Sequence, residues 1–193
     1  MDTITIDRKG TALVIIDLQK GIGSAPTMPH SFAEVVENTS RLVRQFRKEH
    51  MEIFFVHVAF SREGGDSLHP VSDQQGFRRA GEAPSDWADF VDELDVREDD
   101  HIITKRQWGA FYGTDLDLQL RRRGIGTIVL CGISTNFGVE STARFAYEYG
   151  YQQIFVEDAM SARSKEEHDN SIRFILSRIG RVRPTESVLD ALQ

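Results

Sequence analysis

The chain has 193 residues, 40% of them hydrophobic and 27% charged, with a formal net charge of −7. That length suits one α/β domain with a full core, and the composition is ordinary for a globular protein. The acidic balance argues against nucleic acid as a partner, and a single cysteine, Cys131, excludes an internal disulfide framework and a cysteine-based zinc site.

Short apolar runs alternate with amphipathic stretches along the chain, the pattern of a mostly parallel sheet wrapped by helices. In chain order the sequence predicts a strand over 12–17, a helix over 32–49, a strand over 52–60 and a helix over 86–93. A strand over 101–105 follows, then a helix over 115–123, a strand over 127–132 and a helix over 138–149. The last elements are a strand over 153–156, a helix over 166–179 and a short strand over 181–183. Continuous β-branched and aliphatic content in Leu13-Val14-Ile15-Ile16 and Thr127-Ile128-Val129-Leu130 predicts strands buried on both faces.

Punctuation supports several of these elements. Thr114 is placed to cap the 115–123 helix, Asp115 and Asp117 favour its first turn, and Gly124 ends it. Ser164 and Glu167 have capping-box spacing. The basic run Arg121-Arg122-Arg123 complements a helix C-terminus rather than marking a nucleic-acid patch. The stretch 61–84 is polar and rich in glycine and proline, too long for an ordinary connection, and is expected to form a lid or an oligomer-contact loop. The first nine residues have no apolar signal-peptide core, and no apolar run approaches the ~20 residues of a membrane span. A cytoplasmic protein without membrane contact is the expectation.

Ligands in open α/β sheets bind beyond the carboxyl ends of the strands, where strand order reverses. Three features fall at such ends: Asp17 after the first strand, Lys105 ending the third, and the segment from Ile133 to Gly138 after the fourth. A lysine beside a carboxylate stabilises its charged form and orients it, which makes Asp17 a proton-transfer candidate. The turn through Ser134 and Asn136 runs into a helix start, where unpaired amides favour a carboxylate or oxyanion, and Gly138 permits close approach of a ligand. Trp108, Phe111 and Tyr112 are candidates to wall a planar substrate. His57 lies inside a strand and is expected to be a satisfied core histidine.

Asp17 in Val14-Ile15-Ile16-Asp17-Leu18-Gln19, Lys105 in Ile103-Thr104-Lys105-Arg106 and the segment from Leu130 to Arg144 together resemble the isochorismatase-like hydrolase superfamily. The stretch from Lys105 to Leu116 further resembles a bacterial branch of it. The resemblance implies a three-layer αβα sandwich with six strands in the order 3-2-1-4-5-6, and a homo-oligomer. It implies a cis peptide at Ile133–Ser134. In the amidase-type members an Asp–Lys–Cys triad cleaves amides through a thioester, and the cysteine would fall at Gly138. Isochorismatases carry Asp, Lys and Gly at these positions and hydrolyse a vinyl ether without metal, cofactor or covalent intermediate. That resemblance implies Asp17 as general acid and Lys105 holding the substrate's carboxylate, with Ile133, Ser134, Asn136 and Gly138 around it.

Two departures qualify the match. Isochorismatases have an aromatic-Ala-His run where this chain has Ser134-Thr135-Asn136, and a polar amide near the second strand's end, where the sequence offers Val58 and Phe60. The Asp-x-His of zinc-dependent relatives is missing around His69, so no metal is expected. The expected function is hydrolysis of a small carboxylate-bearing substrate. A non-catalytic carboxylate-binding protein, or an amidase with an atypical nucleophile, stands as the alternative.

Overall fold

A computed structural model describes residues 4–74 and 84–193. Its six strands are β1 (Thr11–Ile16), β2 (Glu52–Val58), β3 (His101–Lys105), β4 (Thr127–Ile133), β5 (Gln152–Ser161) and β6 (Arg181–Arg183). They form one sheet in the order β3-β2-β1-β4-β5-β6, and every pairing is parallel. The order reverses between β1 and β4, which pair from Thr11↔Thr127 to Ile16↔Gly132.

Side chains alternate across the sheet with period two, so each strand feeds two cores. Leu13, Ile15, Phe55, Val129, Cys131 and Ile133 point into one, against Val35, Leu42 and Phe46 of α1 (Phe32–Lys48). Val14, Ile16, Phe54, Val56, Ile128 and Leu130 point into the other. There they meet Leu116 and Leu120 of α2 (Leu116–Arg122) and Ala143 and Ala146 of α3 (Glu140–Glu148). Burial on both sides is what selects the continuous apolar strand sequences.

Helix starts follow their capping chemistry. At α1 the Ser31 hydroxyl accepts from the Glu34 N–H and the Glu34 carboxylate accepts from the Ser31 N–H, a complete capping box. The same box, Ser164 with Glu167, starts α4 (Lys165–Asn170). Thr114 accepts from Leu116 N–H at 3.2 Å, and Gly124 follows α2 at φ +69°.

Three expectations need correction, and one helix has no counterpart in the sequence reading. Residues 86–93 form turns and a 3₁₀ turn at Asp92–Leu94 instead of a helix. Their carbonyls are spent elsewhere: those of Trp87 and Asp89 accept from Gly21 and Lys20, and that of Ala88 bonds His57. The helix expected over 166–179 is α4, a π-helical stretch (Ser171–Leu176) and the short α5 (Ser177–Ile179). β5 runs on to Ser161, five residues past its expected end at Val156. A further helix, α6 (Thr185–Asp190), follows Pro184, and the Asp158 carboxylate accepts from both the N–H and the hydroxyl of Thr185 at its start. Of the long loop expected over 61–84, residues 75–83 lie outside the described residues. Residues 61–66 are folded, with Asp66 accepting from Ser61 and from Arg106.

Candidate active site

The carboxyl edges of β1, β3 and β4 bring the three sequence features together. Asp17 leaves β1 at φ +52°, a left-handed conformation that aspartate tolerates better than bulky residues. Its N–H still donates to the Val56 carbonyl at 2.9 Å, which holds the residue on the sheet while its side chain turns away from the ladder. Lys105, at the end of β3, donates from Nζ to Asp17 Oδ2 at 2.7 Å and to the Gln107 carbonyl at 3.1 Å. The two side chains are only 2% and 9% exposed.

This pair is asymmetric. Oδ2 of Asp17 is held by Lys105, whereas Oδ1 is buried without a hydrogen-bond partner. Burial raises the Asp17 carboxyl above its usual range, and the nearby Lys105 charge opposes that shift without cancelling it. A carboxyl with one anchored oxygen and one free, and with its proton affinity raised by burial, is a candidate for proton transfer.

Gly132 creates the turn that brings the third feature in. It stands at φ +115°, and a Cβ there would fall 2.1 Å from the Ile16 carbonyl oxygen, so no other residue fits. The pairing of β4 with β5 shifts register between Leu130 and Gly132. The Ile133–Ser134 peptide is cis. The chain then enters a π-helical turn (Thr135–Val139) continuous with α3, and the Ser134 carbonyl accepts from both Phe137 and Val139.

Gly138 is buried in that turn, against the Asp17 carboxyl. A Cβ at this position would lie 3.2 Å from Asp17 Oδ2, 3.5 Å from the Trp108 carbonyl and 2.8 Å from Cγ2 of Ile16. Cys131 lies on the other side of the sheet, in the α1 core. It is fully buried, with the Thr39 hydroxyl donating to Sγ at 3.8 Å, and burial pushes its thiol up to about 12.

The remaining expected residues separate into groups. Trp108 is 63% exposed and packs against Phe137 with ring centroids 4.8 Å apart, beside Gly138; Tyr112 is 69% exposed. Phe111 is a core residue instead, 4% exposed and held between Tyr149 and Tyr151, so its ring walls the interior. Ile133 also points its side chain into the α1 core. Ser134 and Asn136 are half-buried in the turn, and Asn136 Oδ1 has no partner. Lys105 is largely committed to Asp17 and Gln107, which leaves it less free to hold a carboxylate than the resemblance implies.

Sequence reasoning missed three residues. Gln19, fully buried, bonds Val58 through both ends of its amide and also donates to the Trp87 carbonyl, tying the chain after β1 to the end of β2. Thr142 donates to the Gly138 carbonyl at 2.7 Å and accepts from Ala110 N–H at 3.0 Å, joining the turn to the segment after β3. Its i+4 spacing from Gly138 was the available signal. Thr135 is paired with the buried His168. His57 is satisfied on both ring nitrogens, by Ala88 and Thr104. Among the described residues no group of three or more His, Cys, Asp or Glu side chains is placed to hold a metal ion, and no helix is long and apolar enough to cross a membrane.

A buried carboxylate–ammonium pair, faced by a glycine-containing turn, stands at the switch point of a doubly wound parallel sheet, where such sheets bind their ligands. Residues 11–187 match the isochorismatase domain. The chain is 56% identical to the isochorismatase family protein YwoC of Bacillus subtilis, over the full length of both. It is 41% identical to an isochorismatase family protein of Burkholderia thailandensis, whose structure superposes with a TM-score of 0.92 over 99% of both chains. At 28% identity, over 82% of this chain and 78% of the relative, it is similar to the ureidoacrylate amidohydrolase RutB of Yersinia enterocolitica. The chain belongs to the isochorismatase family of hydrolases.

Proposed function

We propose that this hydrolase cleaves the vinyl ether of a small carboxylate-bearing substrate by general acid catalysis, with no covalent enzyme intermediate. Asp17 gives the proton on Oδ1 to the terminal vinyl carbon, which becomes a methyl group and leaves an oxocarbenium ion. Water adds to that ion, its spare proton returns to Asp17, and the hemiketal collapses to a 2-oxo acid and an alcohol. Lys105 stabilises the Asp17 carboxylate while it is charged. The backbone of the 134–138 turn receives the substrate's carboxylate, and Trp108 flanks the opening.

One observation carries this reading: residue 138, which faces the Asp17 carboxyl, is a glycine and brings no nucleophilic side chain, and a Cβ there would crowd Ile16 and Asp17. The chain's one thiol supports it further, being on the far side of the sheet and held protonated by burial.

The test is pyruvate release from isochorismate, followed with wild type and Asp17→Asn. Turnover that falls by about 10²–10⁴-fold in the variant, with the fold intact, is expected of a lost general acid. Hydrolysis of small amides by wild type that survives Asp17→Asn would overturn the reading. So would a carboxylate-induced rise in melting temperature with no product from any enol ether, which marks a binding protein.

A further inference from the structure

His168 is buried, titratable and unused by the mechanism above. It is 4% exposed, sits on α4, and its Nδ1 lies 2.9 Å from Oγ1 of the fully buried Thr135. Thr135 opens the turn that carries Asn136, Phe137 and Gly138. Among the described residues, Thr135 has the only side-chain hydrogen bond made by Ser134, Thr135 or Asn136.

His168 is anchored through its backbone in α4, and its ring meets one further segment. Its own N–H in the chain donates to the Ser164 carbonyl inside the α4 capping box. The His30 ring stands edge-on to it at 6.0 Å, and the His30 carbonyl is fixed by the hydroxyls of Ser161 at 2.6 Å and Thr27 at 2.8 Å. The segment before α1, itself tied to the end of β5, thus stands against the imidazole, and the imidazole bonds the first residue of the reactive turn. A buried hydroxyl and a buried imidazole that satisfy each other cost little, whereas either alone leaves an unpaired polar group.

We infer that His168 is a positioning residue: through Thr135 it fixes the backbone of the 134–138 turn against Asp17. This rests on the reading that the turn belongs to the reacting site. Burial lowers His168 to about 4, so near neutral pH the ring is uncharged and the pair with Thr135 adds no charge to the turn.

The experiment is a double-mutant cycle on the intact chain with Thr135→Val, His168→Phe and the pair together, plus His168→Asn, whose side-chain amide can reach the Nδ1 position. Amide hydrogen exchange at residues 136–139 is read by NMR, and kcat and KM are read on isochorismate. Each single variant should speed exchange in the turn at least tenfold, and the double variant no more than the worse single one. His168→Asn should return exchange to within threefold of wild type. kcat/KM should fall tenfold or more in Thr135→Val and His168→Phe and return toward wild type in His168→Asn. Multiplicative effects in the double variant, unchanged exchange, or failure of His168→Asn to rescue would overturn the inference. If His168→Phe does not fold, Thr135→Val against Thr135→Ser decides it: serine keeps the hydroxyl and should exchange like wild type. If wild type fails to turn over isochorismate, the proposed reaction falls, while the exchange cycle still decides the role of His168.

Discussion

Asp17 and Cys131 lie on neighbouring strands near the same sheet edge, and burial pushes the acid group of each upward. Their surroundings differ in kind. Asp17 has an ammonium on one oxygen, a free second oxygen and a backbone turn in front of it. Cys131 faces α1, meets a weak hydroxyl donor and is otherwise enclosed by Leu, Ile and Val side chains. Side-chain alternation separates them: Gly132 and Cys131 are adjacent in sequence, yet Cys131 points into the core that the site does not touch. The two groups are therefore set apart by the face they take and the neighbours they meet.

The largest break in this comparison should come from Lys105→Met. Removing one partner of a buried pair costs about 3–5 kcal/mol, so urea unfolding should register a loss of that order. The Asp17 carboxyl should rise further, because the lysine is what opposes desolvation. A stability change below about 1 kcal/mol would mean that the pair is hydrated and not buried. Gly138→Ala comes next. Its new methyl meets Cγ2 of Ile16 at 2.8 Å, an overpacking that costs about 1–3 kcal/mol, and turnover should drop as Asp17 is displaced. Cys131→Ala should cost about 1–2 kcal/mol of packing and leave turnover within twofold. A tenfold loss of activity there would restore the thiol to the mechanism.

The mildest probe is pH, and two buried groups should act in opposite directions. Burial lowers His168 from its usual 6.5 to about 4, so between those values the unfolded chain takes up a proton that the folded chain refuses. Stability should fall as pH drops through that window, and His168→Asn should flatten the loss. Asp17 is raised instead, so its burial costs stability above the usual carboxylate range and stability falls as pH rises through its own value. Turnover should decline over that same rise, because the acid form is the one that reacts. Chemical denaturation and rate profiles across pH separate the two.

The strands were legible because burial on both faces demands unbroken apolar runs, as in Leu13 to Ile16. The sheet order followed the family resemblance, and the observed order agrees with it. The segment from Asp86 was not legible, since Gln19 and the backbone after β1 take over its carbonyls, and no local pattern reveals that. At the candidate site, spacing along the chain placed Asp17, Lys105 and Gly138 at strand ends, but not which way neighbouring side chains point. Phe111 illustrates the limit. Its aromatic neighbours in sequence, Trp108 and Tyr112, are exposed, while its own ring is enclosed by Tyr149 and Tyr151, partners nearly forty residues away.

The Thr142 hydroxyl touches the Gly138 carbonyl on one side and the Ala110 amide on the other. It therefore ties the segment after β3 to the head of α3. Since α3 rests on the sheet through Ala143 and Ala146, the packing beneath that helix also sets where the Gly138 carbonyl and the Ala110 amide stand.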